Sequence, residues 1–171
     1  LHQPISSQLD MDRLDYLRRD SFYTGVTEGN IGSARIIKML NVYNDHLAVE
    51  SKGIYSIENY LTSRRLMYWQ VYLHKTAVAY EKVLVNALMR AKELIRQGNE
   101  LFATPALQYF LSNDVNAKWF ADDGTTLNMY QELDDNDIWS SLKVWKHHDD
   151  VILSTLSTDM VERKIFKVEV Y

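Results

Sequence analysis

The sequence contains no cysteine. That excludes disulfides, thiolate metal sites and a cysteine nucleophile. No apolar run approaches membrane-spanning length, and no signal peptide is visible. Neither sign of charge dominates: the net charge is -4 and the pI about 5.7. A protein that coats nucleic acid needs a basic face, so no specific nucleic-acid partner is expected, and no membrane. These absences lead to the expectation of a cytoplasmic protein. Glycine is scarce, and three of the six glycines fall in residues 24–33, TGVTEGNIGS, which therefore reads as a loop. What remains is ordinary globular material, 46% hydrophobic and 25% charged over 171 residues. That length is enough to bury a core. No repeat, low-complexity tract or linker interrupts it.

Local patterns give a mainly α fold with a small antiparallel β-hairpin. Ser6 or Ser7 can cap a first helix running to about Asp20. ARIIKMLNVY and LAVESK, separated by NDH, read as two strands joined by a tight turn within residues 34–52. Helical periodicity holds from Ser56 to about Gln97, with a kink expected near residues 74–76 and a stop at Gly98. Pro105 opens a helix to about Leu111. Residues 122–124 read as a turn. LNMYQEL, DDNDIWSSLKVW and DDVILSTLSTDMVERK read as three further helices, and IFKVEV as a last strand. The division expected is a core over residues 1–98 and a C-terminal helical region over residues 99–171.

The first helix is dense in paired charge, with four aspartates and three arginines in residues 10–20. At about 100° per residue, Tyr16, Asp20 and Arg13 fall about 40°, 80° and 100° from Asp12. One face thus presents two carboxylates, a phenol and a guanidinium, while Met11, Leu14 and Leu17 point the other way. A metal wants a carboxylate, a phosphate wants a guanidinium, and a sugar hydroxyl can use the second carboxylate. The plain alternative is a solvated helix whose Asp12, Asp15, Arg18 and Arg19 form surface ion pairs.

In the long helix, Ile57, Tyr60, Leu61, Val71 and Val78 fall within about 60° of Arg64, and Tyr68 and Tyr72 lie at about 40° and 80°. Lys75 interrupts the same stripe. An arginine inside an apolar stripe needs an anion. A first-helix aspartate would be a structural partner, and a phosphate a functional one. The tyrosines are either core or a flat surface for a base or sugar. HHDD at residues 147–150 imitates a metal motif, but adjacent histidines on a helix point about 100° apart. Asp149 and Asp150 are better placed to cap the helix that follows. His2 and His46 read as surface residues.

ISSQLDMDRLDYLRRDSFYTG resembles the last metal-binding segment of HD-domain phosphohydrolases. More narrowly it is similar to the deoxynucleoside triphosphate triphosphohydrolases. The glycine loop, ARIIKMLNVYNDHLAVESK and NYLTSRRLMYWQVYLHK follow in that family's order over roughly residues 5–98. The rest is similar to bacterial members more loosely, through LDDNDIWSSLKVW and VERKIFKV. The resemblance implies the C-terminal part of an HD-domain helical fold that hydrolyses a dNTP to deoxynucleoside and triphosphate. It implies a divalent metal held in part by Asp12. It implies Arg13 on the substrate phosphates, Tyr16 along the sugar and Asp20 on the 3′-hydroxyl. Arg64 would grip the triphosphate, Tyr72 would lie beside sugar and base, and Tyr68 would stand one turn earlier.

The same resemblance implies a nucleotide activator at Arg35, Lys52, His74 and Lys75, within a homo-oligomer, tetramer or dimer. Met39 stands where the vertebrate enzyme has an aromatic residue, and Glu50 where it has a basic one. The family's first His and its His-Asp pair belong upstream of this segment. The chain, which opens at Leu1, is therefore expected to be the C-terminal portion of a longer enzyme and inactive by itself. Two alternatives stand beside this reading. One is an HD-family hydrolase of another phosphorylated substrate, the other a non-catalytic nucleotide-binding or assembly module.

Overall fold

The computed structural model describes residues 2–122, 124–164 and 166. It is mainly helical, with one two-stranded antiparallel sheet. The chain divides into two compact units, Leu1–Ala77 and Val78–Tyr171.

The first unit opens with α1 (Gln3–Ser6) and α2 (Met11–Thr24). The cap of α2 is Asp10, not Ser6 or Ser7. Its backbone is extended and its carboxylate accepts from Arg13 N at 2.8 Å. This satisfies an amide that the helix itself leaves unpaired. Ser7 instead accepts from Leu9 N. Gly25, at φ 72, ends α2 in the left-handed conformation that glycine adopts without strain. Leu14 and Leu17 are buried as the periodicity requires, whereas Met11 stays exposed at the first turn.

A 3-10 turn, Thr27–Gly29, leads to α3 (Ser33–Lys38). The sequence reading put a strand here. The β-branched pair in SARIIK favours strand only weakly, and packing overrides it. A helical turn buries Ile36 with Leu14, Leu17, Ile31, Tyr60 and Met67. The hairpin is correspondingly short: β1 (Leu40–Tyr43) pairs with β2 (His46–Val49) from Leu40↔Val49 to Tyr43↔His46. Asn44 and Asp45, at φ 48 and 64, make its turn. Both signs match the twist of a tight hairpin. Gln3 fastens α1 to this hairpin through Leu47 N and His46 Nδ1.

After a 3-10 turn, Ser51–Gly53, comes α4 (Ile54–Met67), then a π turn, Tyr68–Tyr72. Leu73 N donates to Tyr68 O at 2.8 Å, the wider spacing that defines it. α5 (Lys75–Arg96) starts afresh after His74, so the kink expected at residues 74–76 is a break. The buried residues of α4 are Tyr60, Ser63 and Met67. Arg64 borders that stripe and does not lie in its middle, and Leu61 is exposed.

In the second unit, α5 buries Val83, Ala87, Ala91 and Leu94. α6 (Pro105–Ser112), α7 (Trp119–Asp122), α8 (Thr125–Glu132), α9 (Asp135–Trp145) and α10 (Val151–Val161) follow. Leu107, Leu111, Leu142, Trp145, Leu153 and Met160 complete the core. Asp134 forms a capping box with Asp137. Asp150 caps α10 by accepting from Leu153 N at 2.8 Å, and it holds Arg90 at 2.7 Å. That arginine keeps the Asp150 carboxyl down at about 2. The HHDD run is therefore a helix start. The expected turn at residues 122–124 and the strand IFKVEV lie wholly or partly outside the described residues. Among the described residues, no helix is long and apolar enough to cross a membrane.

The first unit has one sharp packing constraint. A Cβ on Gly29 would stand 2.5 Å from Met67 Sδ and 2.8 Å from Ser21 Cβ. Met67 is fully buried, and Ser21 Cβ is fixed to the backbone of α2 and cannot swing aside. Gly29→Ala is expected to destabilise by about 1–3 kcal/mol, the usual penalty for overpacking. Denaturant unfolding measures it, and unchanged stability would show that Met67 can move.

Candidate functional site

The polar face of α2 meets the π turn at a row of aromatic and charged groups. Tyr72 donates from its hydroxyl to Asp20 Oδ2 at 2.7 Å. The Tyr16 ring meets Tyr72 edge-on at a centroid distance of 5.9 Å, and Tyr68 meets Tyr72 at 5.0 Å. The Arg64 guanidinium lies 5.8 Å from the centroid of Tyr68. A carboxylate, three phenols and a cation thus follow one another along a single wall. Five of the sequence-predicted substrate residues, Tyr16, Asp20, Arg64, Tyr68 and Tyr72, are brought together here.

Burial, followed by a hydrogen bond with Tyr68, pushes the Tyr16 phenol up to about 12. Tyr72 is raised too, first by burial and then by its bond to Asp20. Burial also raises Tyr60, whose hydroxyl donates to the Gln8 carbonyl at 2.8 Å. Each phenol is therefore a neutral donor across the ordinary pH range.

Arg64 Nη1 donates to Gln8 Oε1 at 3.0 Å. Among the described residues no carboxylate pairs with it, so the expected structural partners Asp12, Asp15 and Asp20 are not used. With Leu61, Arg65 and Tyr68, Arg64 lines an open depression of about 310 Å³. Arg13 departs from the expected arrangement. Its guanidinium turns back to the Ser7 carbonyl, at 2.6 Å, and to the Asp10 carboxylate. Asp12 is exposed on the first turn of α2 with no partner among the described residues. Asp15 pairs with Arg19 at 2.8 Å, so part of the surface ion-pair alternative also holds.

The residues expected to hold an activator all fall in the first unit. Arg35 lies on α3, Lys52 in the 3-10 turn, His74 in the break and Lys75 at the start of α5. Lys52 is paired with Glu50 at 2.6 Å. His74 Nδ1 accepts from Thr76 N at 3.3 Å. Met39 is buried against Gly53. For a metal, Asp12 alone is too little: among the described residues no three His, Cys, Asp or Glu side chains gather. The described donor set does not fit a metal centre by itself.

Sequence reasoning missed Gln8 and Asp10 as partners of the arginines and Arg65 as a neighbour of Arg64. Only Asp10 carried a signal, its place three residues before Arg13 at a helix start.

The raised phenols make stability depend on alkaline pH. Below the ordinary value of 10.0 the neutral Tyr16 contributes fully, and that contribution is lost as pH rises through about 12. Between these values the unfolded chain ionises first, so stability falls. Tyr16→Phe is expected to flatten this fall relative to the parent sequence. Denaturant melts across the interval decide it, and parallel profiles would contradict the assignment.

Residues 31–104 match the family model described as HD associated region. YwfO of Bacillus subtilis, an uncharacterized protein, is 34% identical over 163 residues, covering 95% of this chain and 36% of YwfO. The deoxynucleoside triphosphate triphosphohydrolase SAMHD1 homolog of Dictyostelium discoideum is 27% identical over 95 residues, covering 56% of this chain and 18% of that protein. The crystal structure of a phosphohydrolase from Bacteroides thetaiotaomicron superposes with a TM-score of 0.94 at 69% identity, covering 98% of this chain and 42% of that one. The chain therefore spans about two fifths or less of the length of these proteins. The chain is thus similar over part of its length to the HD associated region, and to part of a phosphohydrolase structure and of a SAMHD1 homolog.

Proposed function

We propose that this chain supplies the substrate-facing wall of an HD-type phosphohydrolase that cleaves dNTPs to deoxynucleoside and triphosphate. The observation that carries the proposal is the row Asp20–Tyr72–Tyr16–Tyr68–Arg64. Its order suits a nucleotide. Asp20 accepts from the Tyr72 hydroxyl on Oδ2 and keeps acceptor capacity for a substrate hydroxyl. The three rings offer apolar surface to sugar and base. Arg64 offers a planar cation to phosphate oxygens. The SAMHD1 homolog's printed name adds support for the dNTP class.

Asp12 is then one carboxylate ligand of a divalent-metal site whose other donors come from outside the described residues. Arg13, already satisfied by Asp10 and Ser7, takes a lesser part in phosphate binding than its place on the helix face implies. A nucleotide activator would lie among Arg35, Lys52, His74 and Lys75, in a homo-oligomer. Lys52 would have to exchange Glu50 for the activator's phosphate.

The test uses a polypeptide of the relatives' length. Asp12→Ala is expected to abolish release of triphosphate from dGTP with an unchanged melting temperature, because the exposed side chain leaves no cavity. Near-normal turnover would remove Asp12 from the chemistry. Arg64→Ala is expected to weaken dGTP binding by about 1.5–3 kcal/mol, the worth of a charged hydrogen bond. Stability should barely move, since the Gln8 amide that accepts from Arg64 is exposed and the Tyr60 hydroxyl keeps its bond to the Gln8 carbonyl. A large drop in melting temperature with unchanged binding would make Arg64 a structural residue.

A further inference from the structure

The segment between α1 and α2 touches both arginines of the site, and it treats them differently. Ser7 and Asp10 hold Arg13, and Asp10 does so with a full negative charge. Gln8 holds Arg64 with a neutral amide oxygen at 3.0 Å. The Gln8 backbone is itself fixed, because its carbonyl accepts at 2.8 Å from Tyr60, whose side chain is buried. The Gln8 side chain therefore starts from an anchored point.

The chemistry of the two acceptors separates the two cations. A carboxylate on a guanidinium competes with any phosphate that approaches it. An amide oxygen occupies one N–H and leaves the charge whole. A guanidinium has five N–H donors in a rigid fork. Gln8 accepts one of these on Nη1 and the Tyr60 hydroxyl also bonds the guanidinium, and neither partner carries a charge that would oppose a phosphate. The Tyr68 ring braces Arg64 from another side at 5.8 Å. A long flexible side chain is thereby aimed before any ligand arrives.

We infer that Gln8 is a positioning residue that aims Arg64 at the substrate phosphates without neutralising it. This makes Arg64, rather than Arg13, the principal phosphate cation of this chain. The inference rests on the reading of Arg64 as a phosphate-binding residue. It assigns Gln8 no contact with substrate.

Two substitutions separate aiming from mere support. Gln8→Ala removes the acceptor and leaves the carbonyl that anchors Tyr60. Gln8→Glu keeps an acceptor at the same place and adds the charge that the amide avoids. Both are made in a polypeptide of the relatives' length, with and without Arg64→Ala. The readouts are tripolyphosphate affinity by titration calorimetry, KM and kcat for dGTP, and melting temperature. Gln8→Ala is expected to weaken tripolyphosphate binding about 3- to 10-fold, the loss of orientation for a cation that is itself retained. KM should rise in parallel and kcat should change little. Gln8→Glu is expected to weaken binding about tenfold or more while keeping or raising the melting temperature, since a charged pair is the stronger bond. With Arg64→Ala in place, neither substitution should change affinity by more than about twofold, because the coupling partner is gone.

Several results overturn the inference. Gln8→Ala binding like the parent sequence while Arg64→Ala binds weakly removes Gln8 and leaves Arg64. So does an equal loss from Gln8→Ala in both backgrounds, or a Gln8→Glu variant that binds as well as the parent sequence. If Arg64→Ala itself binds tripolyphosphate normally, the phosphate reading falls and Gln8 has nothing to aim. If dGTP is not hydrolysed but the coupling appears in calorimetry, the substrate reading fails while the positioning role stands.

Discussion

The hydrogen bond from Tyr72 to Asp20 is the constraint on which the site depends. A phenol that is half removed from water needs a partner for its hydroxyl. Asp20 supplies that partner from α2, fifty-two positions earlier in the chain. The bond fixes the last residue of the π turn against α2. It also sets the Tyr72 ring where Tyr16 and Tyr68 can meet its edges. The wider hydrogen-bond spacing of the π turn is tolerated because this bond and these ring contacts hold its end. Beneath it, Met67 fills the core against Gly29 and leaves no slack. The wall is held between a packed core on one side and a charged hydrogen bond on the other.

Much of this was legible in the sequence wherever a single uninterrupted helix carried the argument. Tyr16 and Asp20 share a face of α2 because nothing breaks the helix between them. The HHDD run was rightly read as a helix start, because capping depends only on near neighbours. Arg64 was misplaced for an equally definite reason. Its apolar stripe was counted through Val71 and Val78, across a π turn and a break that shift the angular register. Counted within α4 alone, the stripe is Tyr60, Ser63 and Met67, and Arg64 stands at its edge. Arg13 failed for another reason. Angle locates a Cβ, but a long side chain can reach back three residues to the carboxylate of its own cap. The hairpin was drawn too long because SARIIK carries β-branched residues, and only tertiary burial of Ile36 settles the helix. The activator residues are scattered over short elements, where periodicity has nothing to say.

The protein is acidic overall, so an anion site must be built from cations left unpaired. In the first unit, Arg13 is answered by Asp10, Arg19 by Asp15 and Lys52 by Glu50. Among the described residues Arg64 meets the neutral amide of Gln8, the Tyr60 hydroxyl and the Tyr68 ring, and no carboxylate. An ion pair near the surface contributes little to stability. It does, however, raise the cost of anion binding, because the incoming phosphate must displace the carboxylate. On the proposed reading, withholding a carboxylate from Arg64 costs little stability and leaves its charge for the phosphate. Arg65 shares the same depression and also has no carboxylate partner among the described residues. A single guanidinium can clamp one phosphoryl group through a bidentate fork, but a chain of them presents more charge than one fork can answer. Arg64 and Arg65 line one open depression but, as neighbours on α4, diverge by about 100°, so on the proposed reading they meet successive phosphoryl groups and not the same one.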